Sequence, residues 1–241
     1  MDPLNAAIII PVLDDCADLR RLLDRIAESP WQAQQLIVVA GREDAELEQL
    51  CRQRNCTLHI TQANRGAQLD QGAELSRAEL LWFLHADAWP PADGLQAIAR
   101  AVRNGAESGC FRFEFQGRSA WHKRLLARLV ALRIALGGIP YGDQGLFVSR
   151  DAYWECGGFP HQPLFEEVRL VKRLRQRGTF QVLQHPLEVS TRRWDRDGWW
   201  SRTLHNRWLA ACYMLGMPVE RLARAYRKAP TLESAHEHSD R

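Results

Sequence analysis

The chain has 241 residues, 46% of them apolar and 25% charged, and its 32 basic and 29 acidic residues leave a net charge of +3. This is the make-up of a globular protein of one or at most two domains with a sizeable core, which excludes disordered and fibrous classes, and so small a charge names no partner. No uncharged apolar run reaches the ~18 residues of a spanning helix, Met1-Asp2-Pro3 lacks a basic signal region, and six cysteines without a CxxC pair suggest buried thiols, so the chain reads as cytoplasmic.

The first ninety residues repeat a unit of apolar run, polar cluster and helical spacing. Strands are expected at Ala6–Leu13, Leu36–Ala40, Leu58–Thr61 and Leu80–Leu84, and helices at Ala17–Glu28, Asp44–Asn55, Ala67–Ser76 and Asp93–Asn104. Ile8-Ile9-Ile10 and Ile37-Val38-Val39 are apolar on successive residues, as in strands covered by helices on both faces, which implies a parallel α/β sheet. Ligands bind beyond the carboxyl ends of such strands, where this chain places Asp14-Asp15, Gly41-Arg42, Asn64-Arg65-Gly66 and His85-Ala86-Asp87.

Past residue 105 the rhythm stops. Cys110–Phe115 alternates like a strand with one wet face, so the sheet is mixed. Residues 118–136 read as a basic amphipathic helix, in a stretch from Phe115 to Gly142 that holds no acidic residue. A glycine-rich loop leads to Asp143-Gln144, a short strand at Leu146–Val148 and a turn at Gly157–Pro160. A helix then opens on Glu166-Glu167 and runs to Arg177, with Gly178 as its stop. Trp199–Leu215 is a further helix and the last dozen residues are polar. The organisation is therefore one domain over 1–226, made of two halves (1–105 and 106–197) and C-terminal helices (198–226), with a polar tail over 227–241.

Asp87, at the end of a buried strand, can hold a hard cation or merely cap the turn before Pro90-Pro91. Arg65, immediately before Gly66, suits phosphate contact, the glycine permitting close backbone approach. Glu166 and Glu167 could serve only the helix dipole, and Asp143-Gln144 could simply close a loop or face an acceptor. Trp194, Trp199, Trp200 and Trp208 crowd a segment with several arginines. That pattern suits packing on the sheet, a dimer seam, or peripheral contact with anionic lipid at the inner face of a membrane. Nucleic-acid binding is not expected, because the basic residues are interleaved with Leu and Val at core spacing and the pI is only ≈ 8.6. A dehydrogenase is excluded, since Pro11-Val12-Leu13-Asp14-Asp15 offers no GxGxxG.

Seven segments in order resemble a family: Ile10-Pro11-Val12 through Asp15, Arg65-Gly66-Ala67-Gln68 through Gly72-Ala73, Phe83-Leu84-His85-Ala86-Asp87, Gly142 through Val148, Gly157-Gly158-Phe159-Pro160, Pro163 through Glu167 with Leu170, and Arg192-Arg193-Trp194. Over nearly its whole length the chain is similar to family 2 glycosyltransferases of the GT-A fold, and within them to the small bacterial subgroup associated with selenodomain or radical-SAM proteins. The resemblance implies a mixed, mainly parallel sheet with helices on both faces and C-terminal helical additions, residues 1–105 forming a nucleotide-binding half and 106–197 an acceptor and catalytic half. It implies a nucleoside pocket at Pro11, Val12 and Asp15, with Asp44 nearby and Arg65 and His85 on the nucleotide. Asp87 matches the last acid of the DxD motif, which binds Mn2+ or Mg2+ beneath the diphosphate, and His85 stands at the motif's first acid. Glu167 matches the general base, with Glu166 as the alternative. Asp143, Gln144, Arg193 and Trp194 fall on the acceptor and diphosphate side.

The implied reaction is metal-dependent, inverting, hexosyltransferase-like transfer from a nucleotide-diphosphate sugar to an acceptor hydroxyl. Val39 and Ala40 stand where relatives place Asp and Gly, and the base is Glu rather than Asp. A non-catalytic sugar-nucleotide-binding scaffold is therefore the alternative. No residue pattern specifies the donor sugar, its base, the acceptor or the oligomeric state.

Overall fold

The computed structural model describes residues 4–178 and 180–227. The first half runs β1 (Ala6–Val12), α1 (Cys16–Ala27), β2 (Gln35–Ala40), α2 (Ala45–Gln53), β3 (Thr57–Ile60), α3 (Arg65–Leu75), β4 (Leu80–Phe83), β5 (Ala88–Trp89) and α4 (Gly94–Arg103). β1 to β4 and the four helices lie within two residues of the bounds expected from periodicity. Ile8, Ile9 and Ile10 are all inaccessible to solvent because alternate residues feed different cores. Ala6, Ile8 and Ile10 pack with Leu19 and Leu22 of α1 and Ile98 of α4, whereas Ala7 and Ile9 pack on the opposite face with Leu69 of α3. Burying each such side chain contributes on the order of 1.5–3 kcal/mol, so the sheet is held from both sides.

The second half comprises β6 (Ser108–Phe115), α5 (Trp121–Ala135), a 3-10 turn (Gly142–Gln144), β7 (Phe147–Ser149), α6 (Arg150–Glu155), α7 (Glu166–Gln176), β8 (Phe180–Val189), α8 (Arg192–Asp197), α9 (Trp199–Met214) and α10 (Val219–Arg227). One eight-stranded sheet, in the order β3-β2-β1-β4-β7-β6-β8-β5, draws strands from both halves. β3, β2, β1 and β4 are mutually parallel, β7 runs antiparallel to β4 and β6, and β8 is parallel to β6. The structure is the mixed α/β sheet with C-terminal helices that the sequence implies.

Three departures have physical causes. β8 has no apolar alternation to announce it, and its register on β6 jumps from Leu183 opposite Phe111 to Pro186 opposite Arg112. Proline is tolerated there because an irregular ladder needs no N–H at that point. The helix expected over 118–136 runs over 121–135, and it is not amphipathic in its packing. Only Leu126 and Ile134 are buried, while Leu125, Leu129 and Leu132 stand in solvent beside Arg124 and Arg128. Of the C-terminal helices expected over 198–226 only Trp199–Leu215 had bounds; α10 is the second, with Val219, Leu222, Ala223 and Tyr226 at helical spacing. Leu222 and Ala223 pack on Leu164, Phe165 and Val168 at the start of α7 and on Leu209 of α9. Apart from Arg227, the expected polar tail over 227–241 lies outside the described residues. Among the described residues no helix is long and apolar enough to cross a membrane.

Candidate active site

The turn after β4 and the starts of α3, α7 and α8 meet at a crevice of about 850 Å³ bordered by Arg65, His85, Asp87, Asp143, Glu167, Arg193 and Trp194. Each arrives by a separate local device. β4 is buried along its whole length, so the turn that follows it, closed by the Ala88 amide on the His85 carbonyl at 3.0 Å, is fixed in space with Asp87 at its rim. Asn64 caps α3 by accepting from the Ala67 amide, which aims Arg65 across the crevice. Arg65 donates from Nε and Nη2 to the two carboxylate oxygens of Glu166, a bidentate ion pair between α3 and α7.

Gly66 does a different job from the one expected of it. A Cβ there would collide with the Pro160 carbonyl, so the missing side chain lets α3 touch the Gly157–Gln162 loop rather than a phosphate. The same junction is tied by Asn64 Nδ2 to the His161 carbonyl at 3.2 Å and by the Tyr153 hydroxyl donating to Asp70 at 2.7 Å. That loop carries the chain into Phe165, whose left-handed backbone (φ 60, ψ 26) turns it into α7 and sets Glu166 and Glu167 pointing inward. Such a conformation costs a non-glycine residue about 1–3 kcal/mol, offset here by burial of the ring against Tyr141 and Tyr213. Gly66→Ala is therefore expected to destabilise the fold by about 1–3 kcal/mol, read as a lower urea midpoint at unchanged m-value. An unchanged midpoint would show that the junction yields freely.

The two glutamates are electrically unlike. Glu166 is neutralised by Arg65. Glu167 is 4% exposed, and burial, reinforced by the neighbouring Glu166 charge, pushes its carboxyl up to about 8 despite the attraction of Arg65. Its Oε2 is buried without a hydrogen-bond partner. His85 Nε2 is likewise buried and unpartnered, and burial, with Arg65 and Arg193 nearby, holds that imidazole well below its usual range and therefore neutral. A Cβ on Gly142 would come within 2.7 Å of this nitrogen, so the glycine lets the loop close over the ring. Burial raises Asp143 to about 6, with Arg133 opposing and Asp87 adding to the rise.

Other predicted residues are placed differently. Pro11, Val12, Asp15 and Asp44 sit on the β1–β2 edge and are not among the residues that border the crevice. The Val12 and Val39 carbonyls both accept from Gln68 Nε2 at 2.8 Å, which locks that edge, and Asp44 caps α2 by accepting from the Glu46 and Leu47 amides. Val39 is itself fully buried in the core. Gln144 is buried and donates to the Phe111 carbonyl at 3.1 Å, facing a neighbouring groove rather than the crevice. Trp194 stacks edge-on to Phe115 with ring centroids 5.0 Å apart.

Sequence reasoning missed Tyr141, Arg202, Asn206 and Tyr226, which complete the wall. Arg193 Nη1 donates to the Tyr226 hydroxyl at 2.6 Å, and Arg202 lies 4.5 Å from the centre of that ring while donating to buried Asp197 at 3.2 Å. Asp18 was missed as well. It is buried, pairs with Arg21 and Arg192, and joins α1 to α8 beside a second cleft that Asp87 also borders. Only the spacing of α10 could have flagged any of these, because the rest depend on tertiary approach.

Among the described residues no group of three or more His, Cys, Asp or Glu side chains is arranged to hold a metal ion. Mg2+-type sites use one or two carboxylates and complete their shell with water and substrate phosphates, and Asp87 is a carboxylate on the crevice of the kind such an ion uses.

Comparison with known proteins bears on the fold and the family. Residues 7–157 match the family described as glycosyl transferase family 2. Among solved structures, the chain resembles glucosyl-3-phosphoglycerate synthase from Mycobacterium tuberculosis in complex with Mn2+, UDP and glucosyl-3-phosphoglycerate, at 17% identity and TM-score 0.57 over 77% of this chain and 72% of that one. It resembles residues 1–349 of S. aureus TarS at 13% identity and TM-score 0.61, over 78% of this chain and 61% of that one. It also resembles the mannosyltransferase PcManGT from Pyrobaculum calidifontis in complex with GDP-Man and Mn2+, at 16% identity and TM-score 0.56, over 77% of this chain and 56% of that one. The chain thus spans about three-fifths of the last two. No curated protein sequence matches. The match covers well over half of the chain, which belongs to glycosyl transferase family 2.

Proposed function

We propose that this family 2 glycosyltransferase moves a sugar from a nucleotide-diphosphate donor to an acceptor hydroxyl with inversion at the anomeric carbon. The observation that carries the reading is the meeting of Asp87 and Glu167, eighty residues apart in sequence, on one crevice with Arg65 and His85. The histidine of His85-Ala86-Asp87 supports, in the same reading, membership of the selenodomain or radical-SAM-associated subgroup.

The acceptor hydroxyl ionises far above neutral pH, so a carboxylate must take its proton as the new C–O bond forms. Glu167 is suited to this, since its Oε2 has no competing partner, whereas both oxygens of Glu166 are engaged by Arg65. The nucleoside would lie over Pro11, Val12 and Asp15, with Asp44 nearby, and the diphosphate towards Arg65, His85 and Arg193. Asp87 and neutral His85 would hold Mn2+ or Mg2+, which when bound supplies positive charge to the diphosphate. The two arginines add to that charge without proton exchange, which favours departure of the diphosphate with the bonding electron pair.

The solved neighbours carry UDP, UDP-GlcNAc or GDP-Man. Uridine and guanosine diphosphate sugars are therefore the first ligands for a thermal-shift screen with and without Mn2+. A donor at 100 times its Kd adds about 2.7 kcal/mol to stability, a rise of several degrees. The expected result is a rise that needs both donor and cation, together with release of nucleoside diphosphate. Binding without turnover would favour the scaffold alternative, and no shift with any donor would remove the reading.

A further inference from the structure

The surface beside the crevice carries information about the acceptor, on the reading that the chain is a glycosyltransferase. α5 and α9 leave Trp121, Leu132, Leu204, Trp208 and Met214 between 51% and 82% exposed. Soluble proteins seldom expose so many large apolar side chains together unless something covers them. Between the two helices runs a groove of about 1150 Å³, with Phe113, Phe115 and Leu126 along it and Leu129, Ala211 and Met214 at its sides.

Three observations select the occupant. The groove is continuous with the catalytic crevice, since Tyr141, Asp143, Trp194 and Asn206 border both. Its two helical walls carry no carboxylate, since no acidic residue occurs from Phe115 to Gly142 or within α9, and Arg133 and Arg207 line the groove, whose one acidic lining residue, Asp143, stands at the end shared with the crevice. Finally, Arg133 Nε and Asn206 Oδ1 are buried without hydrogen-bond partners at the junction, where Arg133 lies over the Tyr141 ring at 4.3 Å. An apolar trough with a basic rim, ending in unspent polar atoms beside the candidate base, has the form of an amphiphile. A folded protein surface could cover the helices but could not thread into the crevice.

We propose that the α5–α9 groove holds the hydrocarbon chain of a lipid acceptor drawn from an anionic membrane, its hydroxyl-bearing head group passing Tyr141 and Asp143 to reach Glu167. The tryptophan and arginine side chains around the groove rest on that membrane.

The test uses the full chain and 1-acyl lysophosphatidic acids of increasing acyl length, each below its critical micelle concentration. Affinity is expected to rise about two- to fourfold per added CH2 until the groove is full. In Ala211→Trp, an exposed change that fills the groove, the rise should disappear. The chain should also float with phosphatidylglycerol vesicles and detach at high salt. Affinity that is flat across the series, salt-independent exclusion from these vesicles, or a dimer seen by sedimentation that the longest probe does not dissociate would each overturn the proposal. Donor hydrolysis by the unaltered chain is measured alongside. If it persists while the series is flat, only the lipid acceptor is lost; if the series holds without hydrolysis, the transfer reading is lost and the groove stands.

Discussion

Glu167→Gln is expected to lower sugar transfer by about 10²–10⁴-fold while leaving donor binding intact and making the protein more stable at neutral and higher pH. The loss follows from removing the group that takes the acceptor proton. The gain follows from linkage. A carboxyl held near 8 in the folded protein and near its ordinary 4.5 in the unfolded chain keeps its proton longer when folded. The stability it contributes is complete below about pH 4.5 and is lost as pH rises towards 8, because ionisation must then occur in a buried site. Glutamine imposes no such cost. The difference in melting temperature between variant and parent should therefore be near zero at pH 4.5 and widen to the equivalent of a few kcal/mol by pH 8. In the parent, kcat/KM should rise about tenfold per pH unit up to about 8. Full activity in the variant, or a melting difference that ignores pH, would remove Glu167 as the base.

Asp87→Asn should abolish the Mn2+ dependence of donor binding and cut transfer by about 10²–10³-fold, the scale on which loss of one pre-positioned charge partner affects a reaction that builds negative charge. Asparagine keeps the shape of the side chain and hence the turn after β4, so its melting temperature without ligand should stay close to the parent's. A second readout separates a lost ligand from a disturbed site: the Asp87 charge is one cause of the raised Asp143 carboxyl, so the variant's Asp143 should titrate lower than about 6. If the variant still binds donor only when Mn2+ is present, the cation is held elsewhere.

How far the sequence could be read depended on the range of the interactions. Ile8-Ile9-Ile10 and Ile37-Val38-Val39 announced a doubly covered sheet because burial on two faces leaves its mark on every residue. The polar residues after each run were legible for the same reason, and Arg65, His85 and Asp87 do stand on one crevice. What lay beyond reach was set by approach across the fold. Nothing near Gly66 foretells that Pro160 will press against it, and nothing in Arg193 foretells Tyr226. α5 misled for an instructive reason, since its leucines and arginines have the composition of a packed helix but most of its leucines remain in solvent. β8 was invisible because a polar, proline-containing strand survives on its neighbours and not on its own alternation.

The family match ends at residue 157, yet Glu167, Arg193 and Tyr226 all come after it, and Phe165 is held in its unusual backbone by rings from α9 and the α5–β7 connection. During synthesis the N-terminal sheet can gather while the rest of the chain is still being made. Glu167 cannot be pinned until α9 and α10 have left the ribosome and docked on the start of α7. A chain cut before α9 is therefore expected to lose the Phe165 turn and, with it, the inward placement of Glu167.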